Sequence, residues 1–244
     1  LFVLGAVLTC ILTPLIRYFA LQRGFVDCPQ RARKVHEQAT PRLGGAAILA
    51  SYLGVVLVGG VFIPQHREML WGENPFGGYI LIGAVAIFVI GVLDDLSRLS
   101  PKTKLVGEFF IVALVVWGAR FSFTEVQFLG LETISFPEWF GFALACLWIV
   151  GMANAINLID GLDGLASGIT LTGLLAVTVV GYLAGIPGVT WFATLLIGCL
   201  LGFLVFNFSP ARIFMGDSGS LTVGAIISVL AINAIDIDVS KMPE

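Results

Sequence analysis

Charge is what this sequence lacks most. Asp, Glu, Lys and Arg make up 12% of 244 residues and hydrophobic side chains 58%, whereas a soluble domain carries roughly 25% charged residues. That balance excludes a large soluble domain and makes lipid the solvent for most of the chain. The net charge of −3 gives no sign of nucleic-acid binding. Four cysteines, with no CxxC spacing, exclude a disulfide framework. Cys10, Cys146 and Cys199 sit in apolar stretches as small packing residues, and Cys28 sits in a polar loop. The first segment shows no basic stretch and no small-residue cleavage site, and it reads as a membrane span in preference to a signal peptide. No repeat of fixed period is present, no alternating barrel-strand pattern, and neither a Walker motif nor GxGxxG. Asp160-Gly161 is not followed by the Ala-Arg of CDP-alcohol phosphotransferases.

What is present is a series of apolar runs, at about 1–20, 44–63, 77–93, 104–119, 138–156, 169–185, 190–207 and 219–235, each bounded by charge, Pro or Gly. A spanning helix needs about 20 apolar residues, and without barrel alternation only helices satisfy the backbone in lipid. The sequence therefore predicts an all-α polytopic membrane protein with about eight transmembrane helices. One set of alternate loops carries Arg23, Arg31, Arg33, Lys34, Arg42, Arg98, Lys102, Lys104 and Arg212, and the other Arg67, Arg120 and Lys241. Nine cations against three place the first set in the cytoplasm. The outer segment 121–136 alternates around Gly130, which predicts a small surface hairpin. His66, also outside, reads as a solvated loop residue. Glycines within spans, such as Gly54, Gly59, Gly83, Gly91, Gly198 and Gly202, predict close helix packing.

The cytoplasmic loops concentrate the polar chemistry. Asp94 and Asp95 end an apolar run, where they repel one another and meet the negative end of the helix dipole. A cation relieves both costs, either a metal ion or Arg98, Lys102 or Lys104 in a surface ion pair. Asn157, Asp160 and Asp163 are spaced by three, one face in helical geometry, with Gly161 and Gly164 permitting turns after each Asp. Such oxygens suit a hard cation such as Mg²⁺ or a ligand's hydrogen-bonding edge, or an Asx-turn series that caps the next span. Asp217-Ser218 precedes the last span, where an N-cap or an anion site with a carboxylate-held metal would fit. The first loop adds Arg31, Arg33, Lys34, His36 and Arg42; Arg23 and Arg31 read as a positive-inside topology signal at anionic lipid headgroups, whereas Arg42 is poised before Gly44-Gly45 to reach a phosphate. Acids and bases on one membrane face, flanked by glycine turns, point to metal-assisted phosphoryl transfer.

Four segments, Arg33-Lys-Val-His36 with Pro41-Arg-Leu-Gly-Gly45, Asp94-Asp95-Leu96, Asn154 to Leu165, and Phe214-Met-Gly-Asp-Ser-Gly-Ser220, resemble the polyprenyl-phosphate N-acetylhexosamine-1-phosphate transferases of the MraY/WecA/TagO superfamily, in that family's order. Pro-Arg-Leu-Gly-Gly and Asp95-Leu96 are closer to the WecA/TagO branch than to MraY.

The resemblance implies transfer of N-acetylhexosamine 1-phosphate, foremost GlcNAc 1-phosphate, from a UDP-sugar to polyprenyl phosphate in a bacterial plasma membrane, releasing UMP for cell-envelope polysaccharide synthesis. It implies Mg²⁺, with Mn²⁺ as the alternative, held by Asp217 with Asp95 and Asp160. It implies Asp94, Asp95 and Asp217 as catalytic, and Lys34, His36, Arg42, Lys102, Lys104, Asn157, Asp160 and Asp163 as substrate-binding. It also allows a homodimer. The muramoyl-pentapeptide branch is one alternative. A carboxylate-lined transporter is another, disfavoured because the acids lie at span ends on one side instead of at the midplane. The family continues past an eighth span with further spans and a His-rich loop, whereas only His36 and His66 occur here. The resemblance thus implies a single membrane domain over 1–244, cut at both ends.

Overall fold

The structure, a computed structural model, describes residues 1–27, 40–72, 75–121, 125–126 and 134–235. Within them lie helices α1 (Phe2–Arg23), α2 (Gly44–Phe62), α3 (Pro64–Trp71), α4 (Phe76–Ser97), α5 (Pro101–Gly118), α6 (Glu138–Ile159), α7 (Leu165–Leu183), α8 (Pro187–Asn207) and α9 (Gly216–Ile235). Each of the eight apolar runs falls on one long helix. By length and composition seven of these can cross a membrane; α5 differs because its 18 residues include Lys102, Lys104 and Glu108.

Two antiparallel ribbons complete the described chain. Strands β3 (Glu125–Val126) and β4 (Ile134–Ser135) pair where the sequence predicts a hairpin. Strands β1 (Val26–Asp27) and β2 (Thr40–Pro41) pair across the first loop, which the sequence reading did not foresee. His66 lies in α3 and not in a loop. Its half-buried ring stands edge-on to Trp191 at 4.4 Å, tucked against Gly59.

Helix α9 runs through the centre of the bundle, burying Leu221, Val223, Ile226, Ile227 and Leu230. α1 leaves Val3, Leu4, Val7, Ile11, Leu15 and Tyr18 exposed, as lipid-facing surface requires. Among helices in lipid the interface is driven by close packing of small residues. A Cβ on Gly91 of α4 would lie 2.6 Å from Ser218 N, and one on Gly224 of α9 would lie 2.7 Å from Ala153 Cα of α6. Buried Thr222 and Ser51 bond within their own helices: Thr222 donates to Ser218 O at 2.7 Å and Ser51 to Ala47 O at 2.7 Å. Cys10, Cys146 and Cys199 are free thiols, as their apolar settings predict.

The helices alternate in direction, so the C-termini of α4, α6 and α8 meet the N-termini of α2, α5, α7 and α9 at one end. Close backbone packing there brings the polar motifs together. Replacing Gly91 by Leu forces α4 from α9 and is expected to cost about 1–3 kcal/mol, read as a thermal midpoint several degrees lower in detergent. Gly151→Leu, with no neighbour within 4 Å, is expected to leave the midpoint in place.

Candidate active site

Asp94 and Asp95 are consecutive on the last turn of α4, so their side chains point about 100° apart. The repulsion anticipated for adjacent acids is resolved by giving each its own partners. Asp94 turns to α5: Oδ2 lies 2.8 Å from Lys104 Nζ, and Oδ1 accepts from the Leu99 N–H at 2.8 Å. Asp95 turns to α9, where Oδ1 accepts from the Asp217 N–H and Oδ2 from the Ser218 N–H, both at 3.0 Å. The α9 N-terminus is therefore capped by a carboxylate from another helix, which also faces the positive end of its dipole. Gly216 makes this approach possible. Its φ of +76° disfavours other residues, and a Cβ there would lie 2.9 Å from Asp95 Oδ2. The cap that the sequence places in Asp217 or Ser218 is supplied by Asp95.

Lys104 is the hub. Ser100 accepts from the Thr103 N–H and starts α5, with Pro101 in its first turn. Lys104 then sits one turn in, buried, with its ammonium 2.7 Å from Asp217 Oδ2, 2.8 Å from Asp94 Oδ2 and 3.1 Å from Asn157 Oδ1. An ammonium has three N–H donors, and here each has an acceptor. Asn157 passes the contact on, donating to Ser220 Oγ at 2.9 Å, which donates to Gly216 O at 3.0 Å. Thus α4, α5, α6 and α9 are joined through one cation. The Asp94 side chain is 12% exposed, Lys104 11% and Asp217 39%, so Asp217 is the acid of the three that an incoming ligand meets.

The single-face geometry predicted for Asn157, Asp160 and Asp163 does not survive, because α6 ends at Ile159 and Asp160 has already left helical dihedrals. Gly164, with φ of +72°, then starts α7. The three side chains nevertheless all reach the segment 211–220. Asp163 Oδ2 accepts from the Ala211 N–H at 3.0 Å. The half-buried Asp160 faces the Gly216 N–H. Burial, then the charges of Asp217 and Asp95, push its carboxyl up to about 7, against the pull of that N–H and of Arg42. Arg42 enters through a backbone bridge to Phe214. The Phe214 N–H donates to Pro41 O at 2.8 Å, and the Gly44 and Gly45 N–H groups to Phe214 O and Met215 O at 2.9 Å.

Of the remaining sequence candidates, Lys102 is exposed and makes no ion pair among the described residues. Lys34 and His36 lie outside the described residues. Lys104, which the resemblance implies binds substrate, pairs with Asp94 and Asp217. The sequence pattern assigns no role to Glu108, and places Asn154 only at the start of the Asn154 to Leu165 segment: Glu108 is fully buried in α5 and accepts from Asn154 Nδ2. A lone acid four residues after Lys104 in an apolar helix was the available signal.

Among the described residues, no three His, Cys, Asp or Glu side chains form a metal cage. Mg²⁺ does not need one, since it is commonly held by one or two carboxylates together with substrate phosphates and water. The open carboxylate of Asp217, with Asp160 nearby, fits that coordination. Asp95 Oδ1 and Oδ2 each accept one backbone N–H of α9.

The Asp160 carboxyl generates a pH signature. Raised from 3.8 to about 7, it binds more protons folded than unfolded across that window. Its contribution to stability is therefore complete below about pH 4, falls as pH rises to about 7 and is flat above. In metal-free buffer the thermal midpoint of the native protein is expected to decline through that window more steeply than that of Asp160→Asn; parallel profiles would contradict the assignment.

The sequence pattern of glycosyl transferase family 4 matches residues 78–235, which hold every described site acid. The chain is 38% identical over 233 residues to a probable undecaprenyl-phosphate N-acetylglucosaminyl 1-phosphate transferase of Bacillus subtilis, covering 95% of this chain and 61% of that protein. It is 33% identical over 239 residues to a decaprenyl-phosphate N-acetylglucosaminephosphotransferase of Mycolicibacterium smegmatis, covering 94% and 58%. It is 32% identical over 200 residues to a phospho-N-acetylmuramoyl-pentapeptide-transferase of Staphylococcus aureus, covering 79% and 62%. The chain thus spans about 60% of the length of these relatives. With the motifs, the seven apolar spans and the family pattern in agreement, the chain belongs to glycosyl transferase family 4, on the WecA/TagO-like side of the MraY/WecA/TagO superfamily.

Proposed function

We propose that the protein transfers N-acetylglucosamine 1-phosphate from the UDP-sugar to a membrane polyprenyl phosphate, at the cytoplasmic face of a bacterial plasma membrane. One observation carries the reading. The exposed carboxylate of Asp217 stands at the N-terminus of the central helix, beside Lys104, Asp94 and Asp160, at the bundle end that gathers the polar motifs. The nine Lys and Arg of that end's loops, against three at the other, support the cytoplasmic side. The names of the Bacillus and Mycolicibacterium relatives support the lipid and the sugar.

In the proposed reaction an oxygen of the lipid phosphate attacks the β-phosphorus of the UDP-sugar. The bond from that phosphorus to the bridging oxygen breaks, and UMP leaves with the oxygen. The second pKa of a phosphate monoester is about 6, so near neutrality the nucleophile is already largely a dianion and needs orientation more than deprotonation. Asp94 is poorly suited to a base, being held by Lys104 and the Leu99 N–H; its part is to fix the ammonium. Mg²⁺ bound by Asp217, with Asp160 beside it, would neutralise the diphosphate as charge moves onto the leaving group. Lys104, already at Asp217, supplies a second positive charge at the same place. Arg42, carried beside Phe214 by the backbone bridge, extends the positive potential toward the nucleotide.

With UDP-GlcNAc, undecaprenyl phosphate and Mg²⁺, the full-length protein is expected to release UMP, and Asp217→Ala to lower turnover on the order of a hundredfold or more. UDP-MurNAc-pentapeptide is expected to be the poorer donor. Full Mg²⁺-dependent turnover in Asp217→Ala would remove Asp217 from the metal's coordination. Preference for the pentapeptide donor would move the protein to the muramoyl branch.

A further inference from the structure

We infer that Glu108 is a positioning residue for this site: through Asn154 it sets the α5–α6 register that delivers Lys104 to Asp94, Asp217 and Asn157. The inference rests on the transfer reading for its kinetic consequence, and on geometry alone for its structural one. Lys104 and Glu108 are four apart on α5, and Asn157 and Asn154 three apart on α6. Both separations put side chains on one helix face. The neighbouring antiparallel helices therefore meet in two rungs, Lys104 with Asn157 near the surface and Glu108 with Asn154 one turn deeper.

The lower rung is buried on its α5 side. Glu108 is 0% exposed, its Oε2 accepts from Asn154 Nδ2, and the same nitrogen donates to Val150 O at 2.9 Å. Its Oε1 has no hydrogen-bond partner, so Asn154 is the contact that holds the buried carboxyl. Below it α5 continues with buried Val112 and Val116, which present no polar alternative. A slip of one residue along either helix moves it by about 1.5 Å and turns its side chains by about 100°. That would separate Asn157 from Lys104 and break the chain through Ser220 to the start of α9. Glu108 touches no reacting atom; it acts through Asn154 and the placement of Lys104.

Two readouts test this on the full-length protein in detergent. In amine labelling by an acetylating reagent, Lys104 is expected to react far more slowly than exposed Lys102. Glu108→Ala and Asn154→Ala are each expected to raise Lys104 labelling about tenfold, and Glu108→Gln, which keeps an acceptor for Asn154, to restore protection. In turnover with UDP-GlcNAc, the two alanine variants are expected to lower kcat about tenfold while KM stays within about threefold. The double variant is expected to be no worse than either single one, as for a shared contact. Asn154→Ala probes the same rung should Glu108→Ala fail to fold. Continued protection of Lys104 in both alanine variants, or additive losses in the double variant, overturns the inference. A native protein with the labelling pattern but no turnover would instead count against the transfer reading and leave the positioning role standing.

Discussion

A buried ammonium tied to two carboxylates organises this molecule. Lys104 lies where the ends of α4, α5, α6 and α9 meet, and its three donors are taken by Asp94, Asp217 and Asn157. Removing a cation or a carboxylate from water costs several kcal/mol unless partners repay it, and a buried charge left alone is worse than no charge. None of the three groups can therefore be placed without the others. Their positions, at 94, 104 and 217 along the chain, fix the helices that carry them.

Other features serve the same meeting point. Asp95 holds the start of α9 by two backbone N–H groups, and Gly216 lets the carboxylate approach. Gly91 lets α4 come close enough for Asp95 to reach. Beneath the ammonium, the rung between Glu108 and Asn154 continues the α5–α6 contact into the apolar bundle. The outcome is a site with more acid than base, closed on the α5 side and open at Asp217. Nearby Asp160 is held above the usual carboxylate range by burial and by the charges of Asp217 and Asp95.

Much of the fold was legible because lipid imposes a simple code. Eight apolar runs became eight long helices, and the spacing of their charges marked which ends belong together. The cost of adjacent Asp94 and Asp95 at a helix end demanded a cation, and Lys104 was among the three candidates. The division of labour between them was not legible, since it depends on which helix stands opposite each residue, and Asp217 of α9 is 122 positions beyond Asp95. Reading Asn157, Asp160 and Asp163 as one helical face failed because helix geometry stops at Ile159. Even so, the chain returns all three to the segment 211–220 that leads into α9. Glu108 escaped notice because a single acid in an apolar helix has no local pattern; its partner is on α6.

The account stands on the claim that phosphorus moves with the sugar. Supplying the full-length protein with UDP-GlcNAc labelled at the β-phosphorus, together with undecaprenyl phosphate and Mg²⁺, and separating lipid from aqueous products tests it directly. The account predicts the label in the lipid fraction as a diphosphate, and unlabelled UMP in the water. Label retained in aqueous UDP while sugar enters the lipid would mean glycosyl transfer without phosphate, and would contradict it.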